Sequence, residues 1–148
     1  MQATLYLIAF AAGVVLIVQV GVNTTLRSAL GAPVLAALLS FLVGSVALAA
    51  FLVLTRATWP ARAQWVAIPW WAWFGGILGA FYVVSTIIAG PRLGAAALLA
   101  LIVLGQLVTS LLVDHFGWLG FPQHPVTPLR LFGALLLFGG MLLIVHRS

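Results

Sequence analysis

The chain alternates between long apolar runs and short polar segments. A helix needs about 20 apolar residues to cross the hydrocarbon core of a bilayer. Five runs of about that length lie at roughly residues 3–22, 33–54, 70–89, 94–113 and 129–145. Pro33 suits the first turn of the second run, where its missing N–H is not needed. The pattern predicts an all-α membrane protein, a bundle of five transmembrane helices in a single domain over residues 1–148.

Glycine and proline mark how neighbouring spans meet. Gly75 and Gly79, four residues apart, form a strip that lets another helix approach closely in lipid, so we predict a helix-packing face there. Gly90, Pro91 and Gly94 predict a tight turn that makes spans three and four antiparallel neighbours. The segment 55–68 separates spans two and three and is predicted to be an interfacial loop.

Composition supports the membrane assignment and excludes other classes. The 148 residues are 65% hydrophobic and 5% charged, against about a quarter charged residues in soluble domains. The arginines are single and separated by apolar runs, which argues against nucleic acid as a partner. There is no cysteine, and nothing in the sequence fixes Asp114, His115 and His124 as metal ligands. We therefore predict no metal, no cofactor and no enzymatic activity.

The arginines give no preferred orientation. Five spans place three arginines on each side of the membrane: Arg56, Arg62 and Arg130 on the N-terminal side; Arg27, Arg92 and Arg147 on the other. Orientation follows an excess of Lys and Arg in cytoplasmic loops, and here there is none. The balance predicts dual topology and an antiparallel dimer. A parallel oligomer or a small subunit of a larger complex is the alternative.

A few polar side chains interrupt the spans. Polar residues at membrane depth usually face a bundle interior or a water-filled cavity. We predict that Gln19, Asn23, Tyr82 and Gln106 line a path for a small-molecule substrate. The alternative is that such side chains only form hydrogen bonds that hold helices together.

Two further polar residues follow Gln106 along span four. Ser110 and Asp114 continue its face at four-residue spacing and are candidate polar or coupling residues. Asp114 is the only carboxylate side chain. Proton coupling would require it to be buried, whereas its place at the end of the span suggests an interfacial pair with Arg130 or another arginine.

Several segments together resemble the YdcZ-like branch of the drug/metabolite transporter superfamily, small bacterial inner-membrane proteins of five spans. The resemblance covers nearly the whole chain. The residues that carry it are Gln19 with Asn23, the pattern Pro33, Ser40, Phe41 and Gly44, the block PWWAWFGGILGA over 69–80, PRLG over 91–94, Gly105 with Gln106, and DHFG over 114–117 with Gly120.

The resemblance implies that five helices equal half of a ten-helix inverted-repeat transporter, which pairs with itself or with a homologue. Related four-helix multidrug proteins use a glutamate in the first span to exchange protons for cationic drugs. This chain has no glutamate and is apolar from Gly13 to Val18. A neutral, zwitterionic or aromatic substrate fits the uncharged lining better. Arginines at the rim could attract an anion, though nothing requires it.

These observations predict a small-molecule transporter, an exporter, in the bacterial inner membrane. It would work as an antiparallel homodimer by alternating access between two helix arrangements. Half of a heterodimeric transporter is an alternative. A non-transporting scaffold or accessory subunit is another.

Overall fold

The computed structural model describes residues 2–146, and every regular element in this range is helical. The prediction of an all-α membrane bundle is confirmed. The elements are α1 (Gln2–Leu30), α2 (Pro33–Leu54), α3 (Arg62–Val66), a 3₁₀ segment (Trp70–Phe74), α4 (Gly75–Leu93), α5 (Ala95–Phe116), a 3₁₀ turn (Trp118–Gly120) and α6 (Pro128–His146). Within the described range, five helical stretches can cross a membrane: α1, α2, Trp70–Leu93, α5 and α6. Arg147, used above to compare the two sides, lies outside the described residues.

Helix α1 is longer than the apolar run that predicts it. The predicted span ends near Val22, but the helix continues to Leu30. At 1.5 Å per residue its 29 residues extend about 43 Å, against about 30 Å of hydrocarbon. Gly31, directly after the helix, has a left-handed φ of 68° and donates its N–H to the Arg27 carbonyl at 2.8 Å.

Helix α4 continues through its proline. The predicted span ends at Ala89, yet the helix runs on to Leu93 and contains Pro91. Only Gly94, with a φ of 75°, separates α4 from α5. The turn is therefore a single residue, because Pro91 removes one hydrogen-bond donor without ending the helix.

The chain divides into two compact units, one up to Ala89 and one from Gly90 onwards. In the first unit, α1 and α2 form a helical hairpin joined by Gly31 and Ala32, with Pro33 at the first turn of α2 as predicted. Its core consists of Ala36 and Ala37 of α2 and Val83 and Ile87 of α4. Small alanines allow the bulky α4 side chains to pack closely.

The predicted glycine strip has a smaller part in this packing. A methyl group on Gly79 would meet the Phe41 ring at 3.7 Å, an ordinary contact, while one on Gly75 would meet nothing within 4 Å. No helix of the described chain packs against Gly75. Its role in packing against another chain therefore stays a prediction.

The segment between α2 and α4 is built from aromatic rings and one short helix. Helix α3 lies inside the predicted interfacial loop, and its Trp65 ring stacks on Trp73 at 5.9 Å between centroids. Trp70 meets Phe74 edge to face at 5.8 Å. Aromatic rings of this kind anchor a segment at the membrane interface.

In the second unit, α5 and α6 pack as a hairpin, and the loop between them closes both helix ends. Orphan carbonyls at the end of α5 are bonded by loop donors: Asp114 O by the His124 N–H at 2.7 Å, and His115 O by Gln123 Nε2 at 3.0 Å. Thr127 caps α6 through its hydroxyl, which accepts the Arg130 N–H at 3.3 Å. The loop is thus an ordered cap rather than a free linker.

Gly117 is the position on which this cap depends. Its φ is 66°, and a methyl group there would lie 3.3 Å from Gln123 Cβ. Since a left-handed backbone costs a residue with a side chain about 1–2 kcal/mol, Gly117→Ala should lower stability by about that amount in SDS-induced unfolding. Gly105→Ala, inside α5 with nothing within 4 Å of the added methyl group, is the matched control and should be at least as stable as the wild type, because alanine favours a helix interior over glycine. Equal unfolding of both variants would contradict the ordered cap.

Candidate functional site

Three polar side chains of the first unit share one face of α1. Gln19, Asn23 and Arg27 lie at successive four-residue intervals, so they share that face. Gln19 opens onto a cavity of ≈ 250 Å³ that is also lined by Ser40, Phe41, Gly44, Ser45 and Leu48. The small polar residues of α2 thus face the predicted lining residue of α1.

Asn23 is the most deeply buried polar side chain of this face. It is 3% exposed, and its amide makes no hydrogen bond with any residue from 2 to 146. No fully buried side-chain nitrogen or oxygen in that range lacks a partner. The two amide atoms must therefore keep a small accessible surface. Asn23 is therefore a buried amide with free hydrogen-bonding capacity.

Arg27, one turn beyond Asn23, contacts α4. Its Nη1 donates to the Ile87 carbonyl oxygen at 3.2 Å, and the contact is partly buried. In an α-helix the carbonyl of residue 87 would accept the N–H of residue 91. That residue is Pro91, which has no N–H. The guanidinium therefore bonds the carbonyl that the proline leaves free.

The sequence pattern missed this role of Arg27. In the sequence Arg27 stands out as one of the arginines that bear on topology, yet it also continues the four-residue spacing of Gln19 and Asn23. A second signal was Pro91, four residues after Ile87. Both signals are visible in the sequence, but only the packing of α1 against α4 joins them.

The polar groups of α4 divide into two kinds. Thr86 is buried, and its hydroxyl donates to the Val83 carbonyl at 2.9 Å within the helix. Tyr82 is half-buried and packs against the core that α2 and α4 form. Its hydroxyl makes no hydrogen bond with any residue of the described chain. Tyr82 keeps its hydrogen-bonding capacity, whereas Thr86 has used its donor.

The remaining predicted residues belong to the second unit. Gln106 and Ser110 are exposed on α5, and neither side chain makes a hydrogen bond within residues 2–146. Asp114 is different, because its Oδ2 accepts from Arg130 Nη1 at 3.3 Å, with the two side chains 28% and 40% exposed. The interfacial pair with Arg130 that the sequence suggested is present. Arg130 also donates to the His124 carbonyl at 3.3 Å, which ties the pair into the loop cap.

The imidazole of His115 also belongs to this cap. Its Nδ1 accepts the Val126 N–H at 3.1 Å. Across the described residues, no group of three or more His, Cys, Asp or Glu side chains could hold a metal ion. Beside His115, α5 and α6 leave a cavity of ≈ 710 Å³ whose other lining side chains, among them Leu104, Phe116 and Phe138, are apolar. It offers space for an apolar group but few hydrogen bonds.

Comparison with known proteins agrees with this architecture. The family model described as "Putative inner membrane exporter, YdcZ" matches residues 4–143. The chain belongs to this family. The "Inner membrane protein YdcZ" of Escherichia coli (strain K12) is 30% identical over 138 residues, which cover 93% of this chain and 92% of that protein. No solved structure matches the chain.

Membership confirms the resemblance seen in the sequence. With five apolar helices of spanning length within residues 2–146, the chain is an inner-membrane protein in contact with the lipid bilayer. The family is one of transporters rather than enzymes, so in general terms this protein is a membrane transporter of small molecules.

Proposed function

We propose that the chain is half of an exporter, and that two copies in antiparallel orientation move a small molecule by alternating access. The observation that carries the proposal is the polar face of α1. A buried amide with free hydrogen-bonding capacity, Asn23, lies one turn after Gln19, which lines a small cavity with residues of α2. A polar group at membrane depth is costly unless it meets protein, water or a ligand.

The second unit supports the need for a partner. Gln106 and Ser110 lie exposed on α5 without a hydrogen bond in the described chain, and a glutamine facing lipid is unfavourable. A second copy would remove this face from lipid. Because the arginines are balanced between the two sides, that copy can insert in the opposite orientation. Two inverted sets of five helices would then enclose a central site, as in transporters built from inverted repeats.

The direct test is transport by the purified protein. Liposomes containing the protein are loaded with a defined mixture of neutral, zwitterionic, cationic and anionic small molecules, and the external solution is followed by mass spectrometry. We expect a subset of compounds to leave faster than from protein-free liposomes. If correctly folded protein accelerates no compound, a scaffold or accessory role replaces the transporter. Activity only after addition of a homologous chain indicates a heterodimer.

Asp114 tests the coupling mechanism separately. Its partner Arg130 and its exposure argue for a structural role, and exposed ion pairs contribute less than about 1 kcal/mol. Asp114→Asn should therefore retain transport close to the wild-type rate in the same liposomes, with a small loss of stability. Arg130→Gln, which breaks the same pair from the other side, is the matched variant. Loss of transport in Asp114→Asn alone would instead identify the carboxylate as a coupling group.

A further inference from the structure

Within residues 2–146, the charge of Arg27 has no acidic partner. The sequence contains one acidic side chain, Asp114, and that carboxylate pairs with Arg130. Arg27 is nevertheless half-buried, and its one described hydrogen bond goes to a neutral carbonyl, that of Ile87. A charge removed from water is unfavourable unless it is paired. Capping a free carbonyl needs only a neutral donor, and although the last turn of α1 favours a positive charge, no carboxylate in residues 2–146 neutralises it.

The geometry around Arg27 points to an anion. A guanidinium presents several N–H donors in a fixed planar fork that matches a carboxylate, and only Nη1 is used on Ile87. The contact with α4 fixes the position of the side chain, which lowers the entropy cost of binding a further group. Asn23 lies one turn away on the same helical face, with its amide free.

We propose that Arg27 is an anion-binding residue, and that the transported molecule presents a carboxylate to it. The inference rests on the proposed transport function and names the substrate class of the same site. Asn23 and Gln19 would then bind the neutral polar part of the molecule. The phosphate of an anionic lipid headgroup offers similar chemistry to an arginine near a helix end, so the experiment must separate the two sources.

Binding is measured on the full-length protein in nanodiscs of uncharged lipid. The guanidinium signals of ¹⁵N-arginine-labelled protein are followed by NMR during titration with acetate, and with acetamide as the uncharged analogue. The Arg27 signal is assigned from Arg27→Lys. We expect it to shift saturably with acetate and not with acetamide, while the signal of the exposed Arg92 shows only a non-saturating response. No saturable shift at Arg27, or the same shift at Arg92, overturns the proposal.

A lipid arm identifies the source of the anion. The titration is repeated in nanodiscs that contain phosphatidylglycerol. If acetate still shifts the Arg27 signal saturably, a soluble carboxylate has access to the site and the proposal stands. If phosphatidylglycerol alone moves the signal and acetate no longer competes, Arg27 is a lipid-headgroup site and the substrate assignment is overturned.

Transport selectivity is the second readout. Arg27→Gln should reduce efflux of carboxylate-bearing compounds roughly tenfold or more, since a charge-assisted hydrogen bond is lost, and should affect uncharged compounds less. The variant Arg27→Gln/Pro91→Ala guards against misfolding, because residue 91 regains the N–H that bonds the Ile87 carbonyl. Equal loss for charged and uncharged compounds in this double variant overturns the proposal.

The two readouts separate the inference from the transport function. Acetate binding at Arg27 without transport of any compound contradicts the exporter and leaves the anion site standing. Transport without an acetate response at Arg27 contradicts the anion site alone.

Discussion

Replacing Asn23 with leucine should slow transport strongly while leaving the protein inserted and folded. Leucine has a similar volume and is apolar, so the helix and its packing remain. The free amide, which is 3% exposed at the centre of the α1 polar face, is lost. A missing hydrogen bond to a buried polar group costs about 1–3 kcal/mol, which corresponds to roughly a tenfold to hundredfold lower rate. Initial efflux rates from liposomes provide the measurement.

Thr25→Val is the matched control on the same helix. Thr25 is exposed, and its hydroxyl bonds the Gly21 carbonyl at 3.1 Å within α1. This substitution also exchanges a polar side chain for an apolar one of similar shape, but away from the Gln19–Arg27 face, so transport should persist. Wild-type efflux by Asn23→Leu would assign the amide to helix packing and remove it from the substrate path.

Gln106→Leu should have an effect of similar size for a different reason. Gln106 lies exposed on α5 and makes no hydrogen bond in the described chain. Leucine at this position therefore breaks no contact within the described chain. We expect membrane insertion and thermal stability like the wild type, and loss of efflux from liposomes. Gln106→Asn keeps the amide group and should retain part of the activity.

Two results would contradict this account of Gln106. Normal transport by Gln106→Leu would make the glutamine a helix-packing residue. A loss of stability equal to the loss of transport would show that the side chain holds the assembly together rather than binding the substrate.

The hydrophobic pattern predicts where the chain crosses the membrane better than where its helices end. The run 33–54 coincides with α2, since Pro33 and the polar Thr55 mark its ends. For α1 the pattern fails after Val22, because Asn23 and Arg27 lower the hydropathy without breaking the helix. For α4 the pattern fails after Ala89, because the helix continues through Pro91. The proline lacks the N–H that would bond the Ile87 carbonyl, and Arg27 donates to that carbonyl instead. The thickness of the bilayer sets how long an apolar run must be, whereas the position of a helix end depends on local backbone hydrogen bonds.

The candidate site shows a similar division. Gln19, Asn23 and Tyr82 could be chosen from the sequence because they are polar at apolar depth, and all three belong to the first unit. Their different environments depend on packing: an open cavity at Gln19, burial at Asn23, and the alanine core beside Tyr82. The loop cap of α5 could not be predicted, because the hydrogen bonds that its loop donates to the carbonyls of Asp114 and His115 have no signature in composition.

The orientation of the chain in the membrane tests the antiparallel dimer most directly. Because the protein has no cysteine, single cysteines at Thr58, in the exposed loop after α2, and at Ser148 can be labelled from outside intact cells with an impermeant reagent. Five spans place these positions on opposite sides. Dual insertion predicts that each position labels in about half of the molecules, as balanced arginines allow. Labelling of only one of the two positions would mean a single orientation, and the antiparallel homodimer would be wrong.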